Sequence, residues 1–275
     1  MHADLHVHST ASDGTLTPSE LVELAKANGV DALAIADHDS VEGIAEARTA
    51  AALAGITLIP AVEFSANDDG RDIHVLAYHV DPSDPELLAL LSRARDARAV
   101  RAQAMVKCLQ DAGLDLDLAD VRAISGGAAM GRSHVAKALV ARGHAETVPD
   151  AFTRLIGRGR PCYIAKDAAT AREVISTIRR LGAVPVLAHP GITRVDDLLG
   201  EMVASGLLGI EAYHADHSAE QRARYATLAA DLGLIATGGT DYHGPEALNP
   251  GIGAADVPND QVRRLIALGP KATRD

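Results

Sequence analysis

The sequence is poor in aromatic residues. It has no tryptophan and only two phenylalanines, and aromatic residues make up 3% of the 275-residue chain. The formal net charge is −11 at pH 7. Proteins that hold long nucleic acid present a broad basic face, often with aromatic side chains for stacking. This composition therefore argues against a binder of long duplex nucleic acid.

Cysteine is also scarce, and long apolar runs are missing. Cys108 and Cys162 are the only cysteines and lie in unrelated sequence contexts, so we expect both to be reduced. No apolar run reaches the roughly 18 residues that a membrane helix needs. The N-terminus lacks the basic start and apolar core of a signal peptide. These absences predict a cytoplasmic protein with no membrane partner.

Short apolar segments alternate with helical patterns along most of the chain. DALAIAD and VPVLAHPG are typical of strands, whereas LVELAKANG and AREVISTIRRLG are typical of helices. Such alternation indicates βα units around parallel strands, either closed into a barrel or open as a doubly wound sheet. Thr17-Pro18-Ser19-Glu20 predicts a capped helix start. We expect Ser40 to cap a second helix, which ends at Gly55.

Residues 84–165 interrupt this alternation. They show helical patterns separated by glycine turns and contain no convincing strand. We therefore expect residues 1–83 and 166–275 to form the catalytic α/β domain, with residues 84–165 as a helical insertion that caps its mouth. From Gly131 to Lys166 the chain has seven basic and two acidic residues. This excess predicts either contact with an anion or, for most of these residues, a solvated helical face.

Histidines and carboxylates collect near the predicted strand ends. In parallel α/β folds these ends face one common mouth, where functional groups gather. Two imidazoles side by side in a buried strand, as in HVH, are costly unless they bind something. Imidazole and carboxylate ligands without thiolate suit Mn²⁺, Fe²⁺ or Zn²⁺, and nine are enough for two or three ions that share a bridging carboxylate. The nine residues are His6, His8, Asp13, His38, Glu63, His74, His189, Asp241 and His243.

Several motifs together resemble the polymerase-and-histidinol-phosphatase (PHP) superfamily: HVH with the aspartate after it, ADHDS, the glutamate of PAVEFS, AHPG and GTDYHG. The resemblance implies a distorted (β/α)₇ barrel with a trinuclear metal centre, for which Mn²⁺ is the expected ion. It also implies how the ligands divide among the ions. One ion would take His6, His8, Glu63 and Asp241; Glu63 would bridge to a second with His74 and His189; Asp13, His38 and His243 would hold the third.

This centre implies hydrolysis of a phosphate ester. Three dications outweigh the ligand carboxylates, so an acidic protein can still present a cationic site to phosphate. A water that bridges two metals would lose a proton near neutral pH and attack phosphorus as hydroxide. Candidate catalytic residues are Asp13, Glu63, Asp241 and His243, together with Arg132 and His134.

The stretch Gly131-Arg132-Ser133-His134 begins a predicted helix. Helix N-terminal amides favour anions, and a guanidinium can hold two phosphate oxygens at once. We expect Arg132, Ser133 and His134 to bind the substrate's phosphate; the alternative is a helix start that only needs capping. Arg160 and Lys166 are candidates for a second phosphate. His214, near the predicted mouth, is a candidate for a further substrate contact.

The part of the insertion that begins with GRSHVAKALVARG and ends near RPCYIAK resembles that of stand-alone PHP phosphoesterases. This resemblance implies a phosphatase for small nucleotides, such as nucleoside monophosphates or nucleoside 3′,5′-bisphosphates. Because the same site could serve a 5′→3′ exoribonuclease on short single strands, that alternative stays open. Hydrolysis of histidinol phosphate or of a cyclic sugar phosphate is a further alternative. A metal-binding domain without turnover is the remaining one.

Overall fold

The chain forms an α/β structure, described by a computed structural model for residues 1–245 and 250–270. Eight strands are seen in the described residues, and they form two sheets with the orders β1-β2-β3 and β4-β5-β6-β7-β8. The strands are β1 (Ala3–Val7), β2 (Ala32–Ile35), β3 (Thr57–Leu58), β4 (Ala61–Asp68), β5 (Arg71–Tyr78), β6 (Val184–Leu187), β7 (Gly209–Glu211) and β8 (Ile235–Thr237).

The second sheet is mixed, so the expectation of parallel strands throughout was wrong. Strand β5 is antiparallel to both β4 and β6, while β1-β2-β3 and β6-β7-β8 are parallel. The cause is a tight turn in which Asp68 pairs with Arg71. Its two central residues, Asp69 and Gly70, have φ of 49° and 76°. Positive φ at both central positions is the geometry of a two-residue hairpin turn.

The two sheets approach each other at both ends. Isolated parallel bridges join Val7 to Tyr242 and His38 to Glu63. The α/β class is thus confirmed, but residues 1–245 and 250–270 show no closed barrel. The parallel strands still direct their carboxyl ends toward one region, where the histidines lie.

Eleven α-helices occur in the described residues: α1 (Pro18–Ala27), α2 (Ile44–Ala54), α3 (Pro85–Asp111), α4 (Leu118–Ser125), α5 (Arg132–Ala141), α6 (Val148–Ala151), α7 (Ala171–Arg180), α8 (Pro190–Thr193), α9 (Leu199–Ala204), α10 (Ala219–Asp231) and α11 (Asn259–Ala267). The predicted capping box at Thr17 and the left-handed Gly55 at the end of α2 are both present. Ser40 does not cap α2, because that helix begins at Ile44 and its N-cap residue is Gly43. Among the described helices, none has the length and apolarity to cross a bilayer.

The helical pattern of residues 84–165 is confirmed, since every regular element there is helical. A π-helical turn (Phe152–Ile156) follows α6. This region has its own apolar cluster, separate from those around the strands and built on side chains such as Met105, Leu109, Leu139 and Ile156. The burial of these side chains explains how helices with weak amphipathic patterns hold together away from the sheets.

The expectation that both cysteines are reduced was wrong. Cys108, near the end of α3, and Cys162, after the π-helical turn, form a disulfide with a Cα–Cα distance of 5.6 Å. They lie 54 residues apart in the sequence and meet because α4 and α5 fold back against α3. Nothing in the local sequence around either cysteine indicates this meeting.

Reduction of this disulfide is expected to destabilise the helical region selectively. In the chain-entropy account, a cross-link that closes a loop of this length contributes about 4 kcal/mol. We expect dithiothreitol to speed amide hydrogen exchange in α4, α5 and α6 while the strands stay protected. The Cys108→Ser/Cys162→Ser variant should show fast exchange with or without the reductant. Equal exchange in oxidised and reduced wild type would show that the disulfide adds no stability.

Candidate metal centre and phosphate cavity

Strand β1 carries His6, and His8 directly follows it. His6 and His8 point to the same side of the chain, and both are fully buried. The chain between β8 and Asp241 passes so close to β1 that a Cβ at Gly239 would lie 2.5 Å from the backbone nitrogen of His6. Glycine is therefore required at this point of the GGTDYH motif, because only it permits this approach.

Glu63 is the centre of the cluster. Its Oε2 lies 2.8 Å from His38 Nδ1, and its Oε1 lies 2.8 Å from His74 Nδ1 and 3.1 Å from His189 Nε2. Glu63 and His74 lie inside strands β4 and β5 rather than at strand ends. The tight hairpin places them on neighbouring strands, where Ser65 pairs directly with His74. The two ligands meet by cross-strand proximity.

A second group lies between β1 and the segment after β8. Asp241 Oδ1 is 3.0 Å from His8 Nε2 and 3.5 Å from His6 Nε2. The two imidazole Nε2 atoms themselves are only 3.1 Å apart. Two imidazole nitrogens thus converge on one carboxylate oxygen. This arrangement is typical of metal ligands.

A third group surrounds Asp13. Its Oδ1 lies 3.3 Å from His243 Nε2 and 3.9 Å from His8 Nδ1. The other oxygen, Oδ2, accepts a 2.5 Å hydrogen bond from Ser133 Oγ, and Lys137 Nζ donates to the Asp13 carbonyl at 2.7 Å. Helix α5 of the insertion thus holds this carboxylate in place from outside the sheets.

Several buried atoms of this cluster are better placed to bind a metal than to form hydrogen bonds with one another. Asp13 Oδ1, His38 Nδ1, Glu63 Oε2 and His74 Nδ1 are all buried without a hydrogen-bond partner of acceptable geometry. His38 Nδ1 and Glu63 Oε2 approach within 2.8 Å, yet they are not aligned as donor and acceptor. Buried polar atoms are rarely left unpaired, so these atoms indicate a missing partner that accepts lone pairs. A divalent cation meets that requirement.

The potential ligand atoms form three groups, each with all atoms within 4.8 Å of one another. The groups are His8, Asp13, His38 and His243; His6, His8 and Asp241; and His38, Glu63 and His74. His8 and His38 each belong to two groups, which differs from the division that the sequence resemblance implies. His189 lies outside these groups but touches Glu63 through Nε2. All nine predicted ligands are thus brought together.

The electrostatics of the cluster keep the carboxylates ionised. Burial raises the pKa of Glu63, but the nearby His38, His74 and His6 outweigh burial and hold this pKa well below its ordinary value. Burial, with a further contribution from His243, lowers the pKa of His8 to about 3. The neutral imidazole and the ionised carboxylate are the forms that bind metals. His8 and Glu63 are therefore both in their metal-binding form near neutral pH.

Other carboxylates orient the ligands, and the sequence did not single them out. Glu211, at the end of β7, accepts from His6 Nδ1 through Oε1 at 3.0 Å and from the backbone nitrogen of His189 through Oε2 at 2.8 Å. Asp37 accepts from the hydroxyls of Ser9 and Ser12, and so fixes the loop that leads to Asp13. A histidine ligand that gives its second nitrogen to a carboxylate is held in one orientation.

Three residues at the site have a left-handed backbone conformation. His189, Asp241 and the buried Asp39 have φ of 29°, 51° and 49°. For residues other than glycine this region is sparsely populated and costs of the order of 1–3 kcal/mol each. All three follow strands and direct carboxylate or imidazole groups inward. Strain of this kind concentrates where function requires one arrangement.

A cavity of about 190 Å³ opens beside the cluster. Its wall includes Asp13, His38 and His74 of the cluster and four cationic side chains, Arg98, Arg101, Arg132 and Lys166. Two carboxylates of the α/β part anchor these cations. Asp39 accepts from Arg98 Nε at 2.6 Å and from Lys166 Nζ at 3.1 Å, while Asp72 lies 3.1 Å from Arg132 Nη1 and 3.5 Å from Arg101 Nη1.

A sequence profile of the PHP domain matches residues 4–178, more than half of the chain. The chain belongs to the PHP family. It is 36% identical over 247 residues to a 5′-3′ exoribonuclease of Haemophilus influenzae, covering 88% of this chain and 90% of that protein. It is 34% identical over 261 residues to a 3′,5′-nucleoside bisphosphate phosphatase of Chromobacterium violaceum, covering 92% and 90%.

Two further similarities extend over nearly the whole chain. A phosphoribosyl 1,2-cyclic phosphate 1,2-diphosphodiesterase of Eggerthella lenta is 35% identical over 263 residues, covering 92% of this chain and 98% of that protein. A solved structure from Bifidobacterium adolescentis, assigned as a metal-dependent phosphoesterase, has a TM-score of 0.90 at 36% identity. That alignment covers 98% of this chain and 97% of the other. The fold is therefore that of the PHP phosphoesterases.

The predicted substrate contacts of this PHP protein divide into two sets. Arg132 and Lys166 line the cavity, and so does Ser133, which also donates to Asp13. His134 lies outside the cavity wall and accepts from the Gly131 backbone nitrogen at 2.9 Å, so it caps α5. Arg160 is exposed and also lies outside the wall. His214 is buried and is not a wall residue; its Nε2 lies 3.9 Å from Asp241 Oδ2.

Arg98, Arg101 and Asp72 line the cavity, and sequence reasoning missed all three. The two arginines lie one helical turn apart on α3, together with Met105, another wall residue. Spacings of three and four residues put side chains on one helix face. That periodicity was a usable signal, but the sequence alone does not say that this face of α3 turns toward the histidines.

Proposed function

We propose that the protein is a metal-dependent phosphoesterase that hydrolyses phosphate monoesters of small nucleotides. The observation that carries the proposal is the cavity wall, which combines residues of the imidazole and carboxylate cluster with four cationic side chains. A phosphate dianion is stabilised both by metal ions held in the cluster and by cationic side chains. The relatives named as acting on nucleotides and on phosphoribosyl cyclic phosphate support a phosphate ester as the substrate.

The nine clustered residues would hold two or three divalent ions, with Mn²⁺ the expected one and Zn²⁺ or Fe²⁺ the alternatives. Glu63 would bridge two ions, because its two oxygens face different histidines. Such ions, when bound, supply Lewis-acid activation of water and of the phosphoryl group. Asp241 and the Asp13–His243 pair would complete the coordination. Because the attacking group would be water, this reaction needs no serine or cysteine nucleophile from the protein.

Asp39, Arg98 and Lys166 would orient the reacting phosphate. Asp39 directly follows His38, so the two cations that it anchors lie next to the metal cluster. Arg98 Nη2 also donates to Ser65 Oγ at 2.6 Å, which fixes its plane. A guanidinium held in this way loses little rotamer freedom when phosphate binds, and bidentate contact becomes favourable.

We further propose that residues 84–165 act as a cap over residues 1–83 and 166–275. The cap provides Arg98, Arg101 and Arg132, whereas the metal ligands come from the other part. A capped cavity of about 190 Å³ favours a mononucleotide or bisphosphate over a long strand. A 5′→3′ exoribonuclease on short single-stranded RNA is the second candidate, because the relative from Haemophilus influenzae has that activity in its name.

One assay tests these proposals together. Purified protein with added manganese is given AMP, adenosine 3′,5′-bisphosphate, a 5′-phosphorylated pentaribonucleotide and a cyclic phosphoribosyl ester. Released phosphate, shortened RNA and the ring-opened phosphoribosyl monoester are measured in parallel. The proposal expects phosphate from at least one of the two nucleotides at the highest kcat/KM. Faster shortening of the RNA would favour the exoribonuclease, and faster opening of the cyclic ester would favour the diphosphodiesterase. No turnover of any of them would contradict a phosphoesterase.

Substrate affinity is expected to weaken above about pH 8. Burial lowers the pKa of Lys166 to about 8, against the opposing effect of Asp39. As the pH rises through this value the ammonium loses its proton and its attraction for phosphate. We expect KM to rise by roughly tenfold between pH 7 and pH 9. Lys166→Arg, which stays charged throughout this range, should show a flatter KM profile; identical profiles would remove Lys166 from phosphate binding.

A further inference from the structure

The Cys108–Cys162 disulfide joins two stretches of chain that each carry a cation of the cavity wall. Cys108 lies about two turns after Arg101 on α3, so both side chains project from nearly the same helix face. Lys166 follows Cys162 by four residues. The cross-link therefore connects the stretches that support two of the four wall cations.

Residues 162–166, called the wall segment below, are held in place by few contacts. The segment contains no helix or strand. In the described part of the chain, its last three residues make no backbone–backbone hydrogen bond. The Ile164 carbonyl accepts from Arg101 Nε at 2.7 Å, and Lys166 Nζ donates to Asp39 Oδ2 at 3.1 Å. The disulfide is the covalent attachment of this segment to α3.

The two sulfur atoms of the disulfide differ in their access to solvent. Cys162 is 2% exposed and belongs to the apolar cluster of residues 84–165. Cys108 is half-buried and packs against the outside of that cluster. A thiolate from solution therefore reaches Cys108 Sγ, and Cys162 Sγ is the leaving group.

We propose that this disulfide is a redox modification site that sets the affinity of the cavity for phosphate. In the oxidised protein the wall segment keeps Lys166 in the cavity wall, and it keeps Arg101 there through the Ile164 carbonyl. After reduction the covalent attachment is gone, and both cations gain freedom that a bound phosphate must remove. The inference rests on the proposed phosphoesterase function, because that function makes the cavity a phosphate site.

The modification is thiol–disulfide exchange with a dithiol. One thiolate of the dithiol attacks Cys108 Sγ, the Cys108–Cys162 S–S bond breaks, and its electron pair leaves on Cys162 Sγ. The second thiolate of the dithiol then displaces Cys108 Sγ from the mixed disulfide. The protein gains two electrons and two protons, both supplied by the dithiol, and the dithiol becomes a disulfide.

Reduction is expected to raise the Kd for phosphate about tenfold, because each long side chain that must be ordered on binding lowers the affinity a few-fold. Manganese-loaded protein, freed of excess ion, is prepared in oxidised and dithiothreitol-reduced forms, and its thiols are counted. Both samples are titrated calorimetrically with inorganic phosphate. The nine candidate metal ligands lie outside residues 84–166, so the manganese content should be equal. A lower manganese content after reduction would place the effect at the metal centre and contradict the inference.

The reverse effect is a readout that a merely structural cross-link does not change. If the oxidised protein binds phosphate tenfold more tightly, saturating phosphate must shift the exchange equilibrium with dithiothreitol toward the disulfide by the same factor. For this two-electron couple, a tenfold shift corresponds to about 30 mV. Sodium chloride at the same ionic strength is the control and should cause no shift.

Three variants separate the cross-link from the cation that it holds. Cys108→Ser/Cys162→Ser should bind phosphate like reduced wild type, with or without dithiothreitol. Lys166→Met should shrink the redox effect on the Kd to about threefold, since one of the two released cations is absent. Lys107→Met is the matched control and should keep the full effect, because Lys107 is exposed beside Cys108 and lies outside the cavity wall.

The outcomes distinguish this inference from the proposed function. An equal Kd in oxidised and reduced wild type, with no shift of the exchange equilibrium by phosphate, would show that the disulfide only adds stability. The inference would then be wrong, and turnover of a phosphate ester would leave the phosphoesterase standing. If no phosphate ester is turned over but the Kd depends on the disulfide, the proposed function fails and the redox site stands.

Discussion

Glu63→Gln is expected to lower phosphate release by about 1,000-fold, the largest effect of any single substitution in this chain. Glu63 lies within 3.5 Å of a nitrogen on each of five histidines: His6, His8, His38, His74 and His189. Glutamine has the same shape but lacks the negative charge that offsets bound cations. It also presents an amide NH₂ where a bridging ligand needs a lone pair.

The measurement is turnover together with bound metal, determined by elemental analysis on the same sample. We expect the Glu63→Gln protein to lose metal as well as activity. Glu23→Gln is the matched control, because Glu23 is exposed on α1 and is not one of the cluster residues. A Glu63→Gln protein with wild-type activity and metal content would remove Glu63 from the centre of the site.

Asp13→Ala is expected to reduce turnover by at least about 100-fold while the protein melts near the wild-type temperature. Asp13 approaches His243 and His8 through one oxygen, which has no hydrogen-bond partner, and is held by Ser133 through the other. Few of its contacts support the sheets, so its loss should affect chemistry more than folding.

Ser133→Ala provides a graded comparison for the same carboxylate. It removes the 2.5 Å hydrogen bond to Asp13 but leaves the carboxylate in place, so a loss of about tenfold is expected. Thermal melting and turnover are measured on both variants. Full activity in a folded Asp13→Ala protein would show that the Asp13–His243 group is not needed for hydrolysis.

The clustering of the nine candidate ligands was the most predictable part of the structure. HVH, ADHDS, AHPG and GTDYHG each follow or end a short apolar segment, and parallel strands bring such ends together. Glu63 and His74 lie in the cluster for a different reason from the one that the sequence indicated. They lie within an antiparallel hairpin, whose Asp69-Gly70 turn could have been read as a hairpin signal.

The cavity wall was much less predictable, because it depends on how the helical region packs. Arg98 and Arg101 lie on a 27-residue helix that carries charged residues around most of its surface. No local pattern shows which of them turn toward Asp39 and Asp72. The Cys108–Cys162 disulfide and the contact between Glu211 and His6 are likewise long-range meetings. Short-range motifs predicted which histidines and carboxylates cluster, but not the partners that support them.

Metal stoichiometry tests the central claim most directly. Chelator-treated protein is loaded with manganese, freed of excess ion and subjected to elemental analysis. The account predicts two or three manganese ions per chain in wild type. Less than one tightly held ion per chain in folded wild-type protein would contradict it.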